Sequence, residues 1–416
     1  MTTGAGDLPS PNVMPSATPT ATPTATPSAT SEGTPGLASV RYDVDGLAGV
    51  LPRVAASLGV PMPGWAAYPP ARRAVVVLID GLGYELLVSR AGHTPYLRSL
   101  LPTARVLTCG FPSTTATSMG TFGTGLPPGA HGLVGFEVLD PARDLLFNEL
   151  SWEHGPEPER WQPHRTVFEH AEADGVAVTR IGPSYFDGSG LTRSALRGGR
   201  FHAARGLAER VDATSAALRA SQRALVYLYW GELDKIGHQF GCGSWQWLAE
   251  LEAIDAELGR LAESLPPDAA MFVTADHGMV DCPFETRLDL ATEPELTVGV
   301  RHAGGEARAR MLYCEHGAID DVAAAWTARL GTHAQVHRRE ELLAAGWYGP
   351  PGAVGDAVRP RIGDLVVVMT GPVAVVDSRR DRPELLALLG LHGSVTPAEV
   401  AIPMLTQWPS RAAETA

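Results

Sequence analysis

The sequence is poor in cysteine and contains no long apolar run. The cysteines are Cys109, Cys242, Cys282 and Cys314. They show no CxxC spacing, which argues against a disulfide framework or a cysteine zinc site and fits reduced thiols in a cytoplasm. No uninterrupted apolar stretch approaches the ~20 residues needed to cross a bilayer. No basic segment followed by an apolar run is visible near the N-terminus, so we expect a soluble, cytoplasmic protein without a secretory signal.

Basic residues are also scarce relative to acidic ones. Lys and Arg number 33, Asp and Glu number 46, and the formal net charge is -13. A protein that coats nucleic acid needs a basic excess along its groove, so this class of function is disfavoured. A nucleotide-sized substrate stays compatible with the acidic balance, because bound divalent cations would supply positive charge locally.

The chain of 416 residues divides into a tail and one large domain. Residues 1–38 are dominated by Pro, Thr, Ala and Ser, with an Ala-Thr-Pro-Thr repeat. Such a segment cannot bury enough apolar area to offset its loss of conformational entropy, so we expect a disordered tail. Residues 39–410 are predicted to form the folded domain. Within it, residues 136–223 are less periodic and are either a cap over the site or irregular surface.

Apolar runs of strand length alternate with helical periodicity from residue 71 onwards. The clearest runs are residues 74–79, 224–230, 270–274 and 364–369, with 176–181 and 310–314 as further candidates. Continuous β-branched runs are typical of strands covered on both faces. Between residues 244 and 262 the apolar residues recur at helical spacing. The pattern predicts an α/β fold, with a doubly wound, mostly parallel central sheet and helices on both faces.

Six residues are potential metal ligands. Most of them lie just after an apolar run of strand length, at the point where a glycine-containing turn begins. They are Asp80, Asp234, His238, Asp276, His277 and His392. In a parallel sheet the turns at the strand ends gather along one edge, so residues distant in sequence can meet there. Asp234 and His238 are four residues apart, which places both on the same face of a helical turn. The carboxylate and the imidazole could share one divalent ion, and the imidazole nitrogen favours zinc.

Each of these segments also has an ordinary structural interpretation. An Asp after a strand, such as Asp80, often caps the next helix. A surface Asp–His pair needs no metal, and the turn around His392 says little by itself. The sequence Asp276-His277-Gly278 after a buried strand is the most specific of these signals.

A run of hydroxyl side chains precedes a predicted helix. It comprises Ser113, Thr114, Thr115, Thr117 and Ser118. A hydroxyl at a helix N-terminus would lie beside free N–H groups that stabilise negative charge. A hydroxyl that attacks phosphorus would gain from metal contact, which lowers its pKa, and from backbone donors that hold the phosphoryl oxygens. A plain helix cap is the alternative interpretation of this run.

Together these segments resemble the alkaline phosphatase superfamily, especially its nucleotide pyrophosphatase/phosphodiesterase branch, from about residue 73 to residue 405. The resemblance implies a hydrolase that splits phosphodiester or phosphoanhydride bonds through a covalent phospho-threonine. It also implies two divalent metal ions, in the first place zinc, with manganese as the alternative. One ion would be held by Asp80, Thr115, Asp276 and His277, and the other by Asp234, His238 and His392.

The choice of nucleophile follows from spacing within the resemblance. In the family the nucleophile lies nine residues before the Thr of a Thr-Gly pair, which is Thr124-Gly125 in this chain. Counting back gives Thr115, with Thr114 as the neighbouring alternative. We therefore expect Thr115 to be the nucleophile.

Two features depart from the family pattern. The Phe-Pro pair usually follows the nucleophile, whereas Phe111-Pro112 precedes Thr115 here. Many relatives have an Asn three positions after the nucleophile, where this chain has Ser118. The resemblance makes Ser118 and the backbone N–H near Ala116 candidate supports for the phosphoryl oxygens.

Other functions stay open at this point. The same metals could serve a phosphomonoesterase or a phosphonate hydrolase, or a non-catalytic scaffold that holds metal. The Cys-x-Pro-x-Arg pattern of sulfatases is absent, so sulfate ester hydrolysis is disfavoured. The expected partner is a small phosphate ester or nucleotide, and the sequence does not indicate the oligomeric state.

Overall fold

Strands and helices alternate along most of the chain. The structure is a computed structural model and describes residue 1 and residues 37–410, so the predicted tail lies almost wholly outside the described residues. The strands in this part are β1 (Arg73–Ile79), β2 (Arg105–Thr108), β3 (Glu137–Asp140), β4 (Leu145–Asn148), β5 (Ala177–Gly182), β6 (Arg200–Ala203), β7 (Ala224–Trp230), β8 (Ala269–Thr274), β9 (Val280–Asp281), β10 (Arg287–Asp289), β11 (Val300–Glu306), β12 (Ala309–Cys314), β13 (Ala334–Arg338), β14 (Leu365–Met369), β15 (Ala374–Val376), β16 (Gly390–Leu391) and β17 (Ala401–Gln407).

The α-helices range from one turn to twenty residues in length. They are α1 (Val50–Ser57), α2 (Tyr84–Ser89), α3 (Pro95–Leu100), α4 (Thr115–Thr124), α5 (Pro128–His131), α6 (Pro158–Trp161), α7 (Val167–Ala173), α8 (Gly190–Ala195), α9 (Leu207–Arg219), α10 (Glu232–Phe240), α11 (Trp245–Ser264), α12 (Ile319–Leu330), α13 (Arg339–Ala344), α14 (Pro383–Leu386) and α15 (Pro397–Val400). None of the helices in residues 37–410 is both long enough and apolar enough to span a bilayer.

The central sheet has seven strands in the order β2-β17-β8-β1-β7-β5-β6. β1 pairs in parallel with β7 and β8, and β5 pairs in parallel with β7 and β6. β17 is antiparallel to both of its neighbours, β8 and β2. The prediction of a mostly parallel sheet is confirmed, and the structure adds one antiparallel strand that the sequence did not indicate.

Helices cover both faces of this sheet, as the continuous apolar runs predicted. On one face α9 packs against β7, and the guanidinium of Arg210 lies 4.3 Å from the centroid of the Trp230 ring system. On the other face Phe122 of α4 packs against Tyr227, with ring centroids 5.3 Å apart. Because neighbouring residues of a strand point to opposite faces, Tyr227 and Tyr229 share the face that α4 covers.

The predicted amphipathic helix at residues 244–262 corresponds to α11. Its N-terminus is capped by the Ser244 hydroxyl, which accepts a hydrogen bond from the backbone N–H of Trp247 at 3.2 Å. The apolar stripe that includes Leu251, Ile254 and Leu258 is buried. The helical spacing of these residues therefore gives the helix the face that it packs on the domain.

A second, antiparallel sheet contains two of the strands that the sequence predicted, β12 and β14, in the order β11-β12-β14-β13. The apolar run of β14 is buried on both faces, but not as part of the central sheet. Val366 and Val368 pack into the main core, whereas Leu365, Val367 and Met369 pack into a second core with α12. An apolar run indicates burial on both faces but does not show which sheet the strand joins.

The less periodic residues 136–223 fold as a hairpin, β3–β4, followed by strands and helices up to α9. β5 and β6 of this region extend the central sheet beyond β7. The region is therefore partly built into the main sheet, and its function as a cap stays a prediction.

Candidate metal centre

The carboxyl ends of three neighbouring strands carry most of the predicted ligands. Asp80 directly follows β1, Asp276 and His277 follow β8, and Asp234 lies in α10, which begins just after β7. β1 lies between β7 and β8 in the sheet, so the three strand ends are adjacent. This arrangement brings the side chains together at one edge, as the parallel sheet requires.

A first group of ligand atoms comes from Asp80, Asp276 and His277, and all three side chains are buried. One atom of each lies within 4.8 Å of the other two. Nε2 of His277 is 3.5 Å from Oδ1 of Asp80 and 3.5 Å from Oδ2 of Asp276. The hydroxyl of Thr115 lies 3.2 Å from the same nitrogen. The structure thus places Thr115 at the edge of this group.

A second group consists of Asp234, His277 and His392, again with one atom of each within 4.8 Å of the others. His238 adjoins it, because its Nε2 lies 3.2 Å from Oδ2 of Asp234. The rings of His277 and His392 stack with centroids 3.7 Å apart. The family resemblance assigned His277 to one ion only, whereas in the structure its imidazole belongs to both groups of ligand atoms.

The tautomers of the three imidazoles suit metal binding. Each Nδ1 donates to a backbone carbonyl oxygen, at 2.7, 3.0 and 2.8 Å: His238 to Gly390, His277 to Gly278 and His392 to Ser113. A carbonyl only accepts, so the proton of the neutral ring resides on Nδ1 and the lone pair on Nε2. Such backbone partners fix the orientation of a metal-binding histidine.

The carboxylates leave buried oxygens without partners. Oδ1 of Asp80, Oδ1 of Asp234 and Oδ2 of Asp276 accept no hydrogen bond from any described residue. Burial, reinforced by the charges of Asp276 and Asp234, raises the pKa of Asp80 well above its usual range. Unpaired buried carboxylates are costly, and divalent cations would offset both burial and repulsion. The donor set therefore fits divalent metal ions.

Asp234 and His238 stabilise each other's charge. Although burial works against both charged forms, the imidazole lowers the pKa of Asp234, and the carboxylate raises the pKa of His238 to about 9. A cation bound at Nε2 of His238 would therefore have to displace a proton.

Thr115 is the first residue of α4, and Thr114 is its N-cap. The Thr114 side chain makes no capping hydrogen bond, so it leaves the N–H groups of the first turn unoccupied by its hydroxyl. Thr115 lines a cavity together with Asp80 and Asp234, whereas Thr114 does not. Of these two threonines, Thr115 is therefore the one that adjoins the carboxylates in this cavity.

Ser118 lies in a different environment from the one that the resemblance implied. Its side chain is fully buried, and its hydroxyl donates to the backbone oxygen of Asp276 at 2.7 Å. That proton is not available to a phosphoryl oxygen. Ser118 instead connects α4 to the loop that carries Asp276 and His277.

Two further residues next to the site were not predicted from the sequence. The Tyr229 hydroxyl donates to Oδ2 of Asp80 at 2.5 Å. The alternation of side chains along β7 would have indicated which face Tyr229 occupies, but not its partner. Glu306, at the end of β11, places Oε2 3.5 Å from Nδ1 of His392, and its Oε1 has no partner among the described residues. Burial raises the pKa of Glu306 to about 8, and no motif in the sequence pointed to it.

The cavity beside Thr115 has a volume of about 390 Å³. Asp80 and Asp234 line its acidic end. Its remaining walls are largely aromatic and apolar, and they include Tyr185, Phe186, Phe201 and Tyr229, together with Arg180. A molecule larger than a phosphate group can therefore lie next to the threonine hydroxyl.

The fold and site define an α/β protein with a buried carboxylate–imidazole centre beside a hydroxyl at a helix N-terminus. The family model described as Type I phosphodiesterase / nucleotide pyrophosphatase matches residues 74–395. The chain belongs to this family.

A similar sequence is an uncharacterised pyrophosphatase/phosphodiesterase of Schizosaccharomyces pombe, 27% identical over 218 residues. That match covers 49% of this chain and 44% of the relative, so the chain spans about half the length of this relative. Similar structures are murine and human ectonucleotide pyrophosphatase/phosphodiesterase 5, at 20% and 19% identity and TM-scores of 0.66 and 0.65. Each of these two matches covers 81% of the present chain and 88% of the similar structure's chain, which shows that the fold is shared.

Proposed function

We propose that the protein hydrolyses phosphodiester or phosphoanhydride bonds of nucleotide-type substrates through a covalent intermediate on Thr115. The observation that carries this proposal is the position of the Thr115 hydroxyl, 3.2 Å from Nε2 of His277. The hydroxyl lines a cavity shared with Asp80 and Asp234, at the N-terminus of a ten-residue helix.

Two divalent ions, most simply zinc, would be held at this edge of the sheet. Their ligands would be Asp80, Asp276 and His277 with Thr115 for one, and Asp234, His238 and His392 for the other. Bound there, they would supply the positive charge that lowers the pKa of the attacking hydroxyl and stabilises the leaving oxygen.

The protein's own groups account for the two displacements. Oγ1 of Thr115 forms a bond to phosphorus while the bond from phosphorus to the leaving oxygen breaks. Water then attacks the same phosphorus, releases the phosphoryl group as a phosphate product and restores the Thr115 hydroxyl. The N–H groups of the first turn of α4, including that of Ala116, hold the phosphoryl oxygens through both steps.

The similar structures support this interpretation. The murine ectonucleotide pyrophosphatase/phosphodiesterase 5 structure is described as an inactive threonine-to-alanine variant in complex with AMP. A nucleotide ligand and a threonine needed for activity in that protein are what the proposal expects here. The 390 Å³ cavity leaves room for the organic group of a phosphate ester or anhydride, as a nucleotide-type substrate requires.

The proposal can be tested on the purified full-length chain. Metal content is measured by elemental analysis, and hydrolysis of bis-p-nitrophenyl phosphate is compared with that of p-nitrophenyl phosphate before and after chelation. We expect Thr115→Ala to lower turnover by roughly 10³-fold or more at unchanged metal content, whereas Thr114→Ala retains activity. Mass spectrometry of the quenched wild-type enzyme should show a phosphoryl adduct on the Thr115 peptide.

Each contrary result has a definite meaning. Normal turnover in Thr115→Ala would refute the assigned nucleophile. Faster hydrolysis of the monoester would favour a phosphomonoesterase. Full metal occupancy with no hydrolysis across a broad ester panel would favour a metal-bound scaffold.

A further inference from the structure

The cavity beside Thr115 has a single basic side chain among its lining residues, Arg180 of β5. Only 9% of Arg180 is exposed. Its Nε donates to the carbonyl oxygen of Gly198 at 2.8 Å. Within residues 37–410, no carboxylate lies within 4 Å of its guanidinium, and its two Nη groups donate to no protein acceptor.

A buried guanidinium without an anionic partner is unusual in a folded protein. Burial disfavours the charged form and lowers the pKa of Arg180. Other deeply buried arginines make several hydrogen bonds. Arg308 binds Glu399 in a bidentate pair, Arg210 donates to three backbone oxygens and to Glu232, and Arg361 donates to three backbone oxygens. Arg180 makes one such bond, and its Nη groups lack a close partner at a cavity wall. The charges of Asp187 and Glu172 favour its charged form only from beyond direct contact, which leaves the guanidinium poorly compensated.

The strand register shows how Arg180 reaches the cavity. Arg180 lies opposite Tyr227 on one side and opposite Phe201 on the other, so the three side chains share the face that α4 covers. Gly182, two residues further along β5, occupies the same face. A Cβ at Gly182 would make only ordinary van der Waals contacts, 3.8 Å from Phe186 and Phe201, so this position beside Arg180 has room for a small side chain but holds none.

The cavity thus has charges of opposite type at two of its walls. Asp80 and Asp234, the proposed cation ligands, lie at one end, and Arg180 lies two strands away from β1. Two interstrand spacings correspond to about 10 Å. Aromatic rings line the space between, and Phe186 packs on Tyr229 with centroids 5.3 Å apart.

We propose that Arg180 binds a second anionic group of the substrate, a phosphate or a carboxylate. The preferred substrates would then be phosphate diesters or anhydrides whose organic part has an unsaturated or apolar body and carries a further negative charge. This inference rests on the proposed function, because it takes the reacting phosphorus to lie at Thr115.

A purely structural role for Arg180 makes a different prediction. Its guanidinium carbon lies 5.7 Å from the centroid of Phe201, at the limit of a cation–π contact. If Arg180 only supported Phe201 and the Gly198 loop, its replacement would impair all substrates alike. If it binds a second anion, the loss is confined to substrates that carry one.

The test uses nucleoside 5′-(p-nitrophenyl phosphate) diesters that carry at the 3′ position a hydroxyl, a phosphate or a carboxymethyl group. We expect the wild type to prefer at least one anionic form by about tenfold or more in kcat/KM, because charge-assisted bonds from a buried arginine are strong. Arg180→Met should abolish this preference while leaving the 3′-hydroxyl substrate within about twofold, and Arg180→Lys should keep part of it. The two anionic forms distinguish phosphate from carboxylate.

Arg200→Met provides the matched control. Arg200 lies on the neighbouring strand β6, is exposed, and pairs with Thr179 on the opposite face of the sheet. It loses the same charge without touching the cavity, so its substrate preference should equal that of the wild type. Thermal unfolding of both variants checks that they are folded.

A binding measurement separates this inference from the proposed function. Calorimetric titration of the Thr115→Ala variant with a nucleoside 3′,5′-bisphosphate and with the 5′-monophosphate needs no turnover. We expect the bisphosphate to bind about tenfold more tightly or better, and the advantage to disappear in Thr115→Ala with Arg180→Met.

Several results would overturn the inference. They are equal affinity for the two nucleotides, equal kcat/KM of the wild type for all three esters, or an equal loss on all three esters in Arg180→Met. Absence of any hydrolysis in the metal-loaded wild type, together with tighter binding of the bisphosphate, would instead refute the proposed function and leave the anion site standing.

Discussion

Arg308 and Glu399 form a bidentate ion pair that is almost completely shielded from solvent. Nε and Nη2 of Arg308 lie 2.7 and 2.8 Å from the two carboxylate oxygens, and both side chains are at most 1% exposed. Glu399 also accepts from the backbone N–H of Ser394 and from the Thr396 hydroxyl. Its own backbone oxygen accepts from Gly278. The pair thus joins the β11–β12 turn to the two loops that carry His277 and His392.

This geometry predicts a large loss of stability when either partner is removed. Arg308→Met or Glu399→Gln leaves the other group buried without its partner, which we expect to lower the free energy of unfolding by about 3–5 kcal/mol. Urea denaturation of metal-free protein measures it. Asp212→Asn, which breaks an exposed pair with Arg260, serves as the control and should cost less than about 1 kcal/mol. Equal effects of buried and exposed variants would contradict the prediction.

Tyr229 is predicted to orient Asp80 for metal binding. Tyr229→Phe removes the hydroxyl that donates to Oδ2 of Asp80, and we expect it to weaken zinc binding by about 10–100-fold without unfolding the protein. Competition with a chromophoric chelator gives the affinity. Tyr227→Phe is the matched control, because Tyr227 lies on the same strand and face, but its hydroxyl faces the sulfur of Met119. The idea fails if both variants bind zinc as the wild type does.

The parts of the site that lie at parallel strand ends could be predicted from sequence. Asp80, Asp276 and His277 follow apolar runs, and a parallel sheet brings such positions together whatever their separation along the chain. Asp234 and His238 could be paired by helical spacing, and α10 contains both. The side chains converge because local patterns determine the strands and the sheet determines the edge, and their role as metal ligands stays a prediction.

The other parts depend on long-range packing that no local pattern reveals. His392 follows β16, which pairs with β9 outside the central sheet, so only the family resemblance pointed to it. Glu306 reaches His392 from the second sheet. Arg180 lies in residues 176–181, which the sequence indicated as a further candidate strand within the less periodic region. Its position in the cavity follows from the register of β5 with β7, which cannot be read from either strand alone.

Glu149 is predicted to make stability depend on pH. Its carboxylate accepts hydrogen bonds from Trp161 and from the backbone of Val134 and Gly135, yet burial raises its pKa from 4.5 to about 7. A carboxyl group with a raised folded-state pKa contributes stability below pH 4.5 that is lost as the pH rises to about 7.

The comparison with Glu149→Gln isolates this effect, because glutamine does not titrate. The free energy of unfolding of the wild type relative to the variant should fall between pH 4.5 and pH 7 by at most about 3 kcal/mol and stay level above that range. Denaturation curves of both proteins in the same buffers cancel the contributions of other groups. A difference that stays constant from pH 4 to pH 8 would show that Glu149 ionises normally.

Filling the space at Gly182 is predicted to impair substrate binding without disturbing the metal centre. A Cβ there would make only ordinary contacts, 3.8 Å from Phe186 and Phe201, so β5 should accommodate Gly182→Val. The added methyl groups would occupy the cavity. We therefore expect KM for a nucleoside 5′-(p-nitrophenyl phosphate) to rise roughly tenfold or more, with unchanged zinc content and thermal stability within a few degrees. Gly92→Val, at an exposed glycine outside the cavity, should leave KM unchanged, and an unchanged KM in Gly182→Val would place the substrate elsewhere.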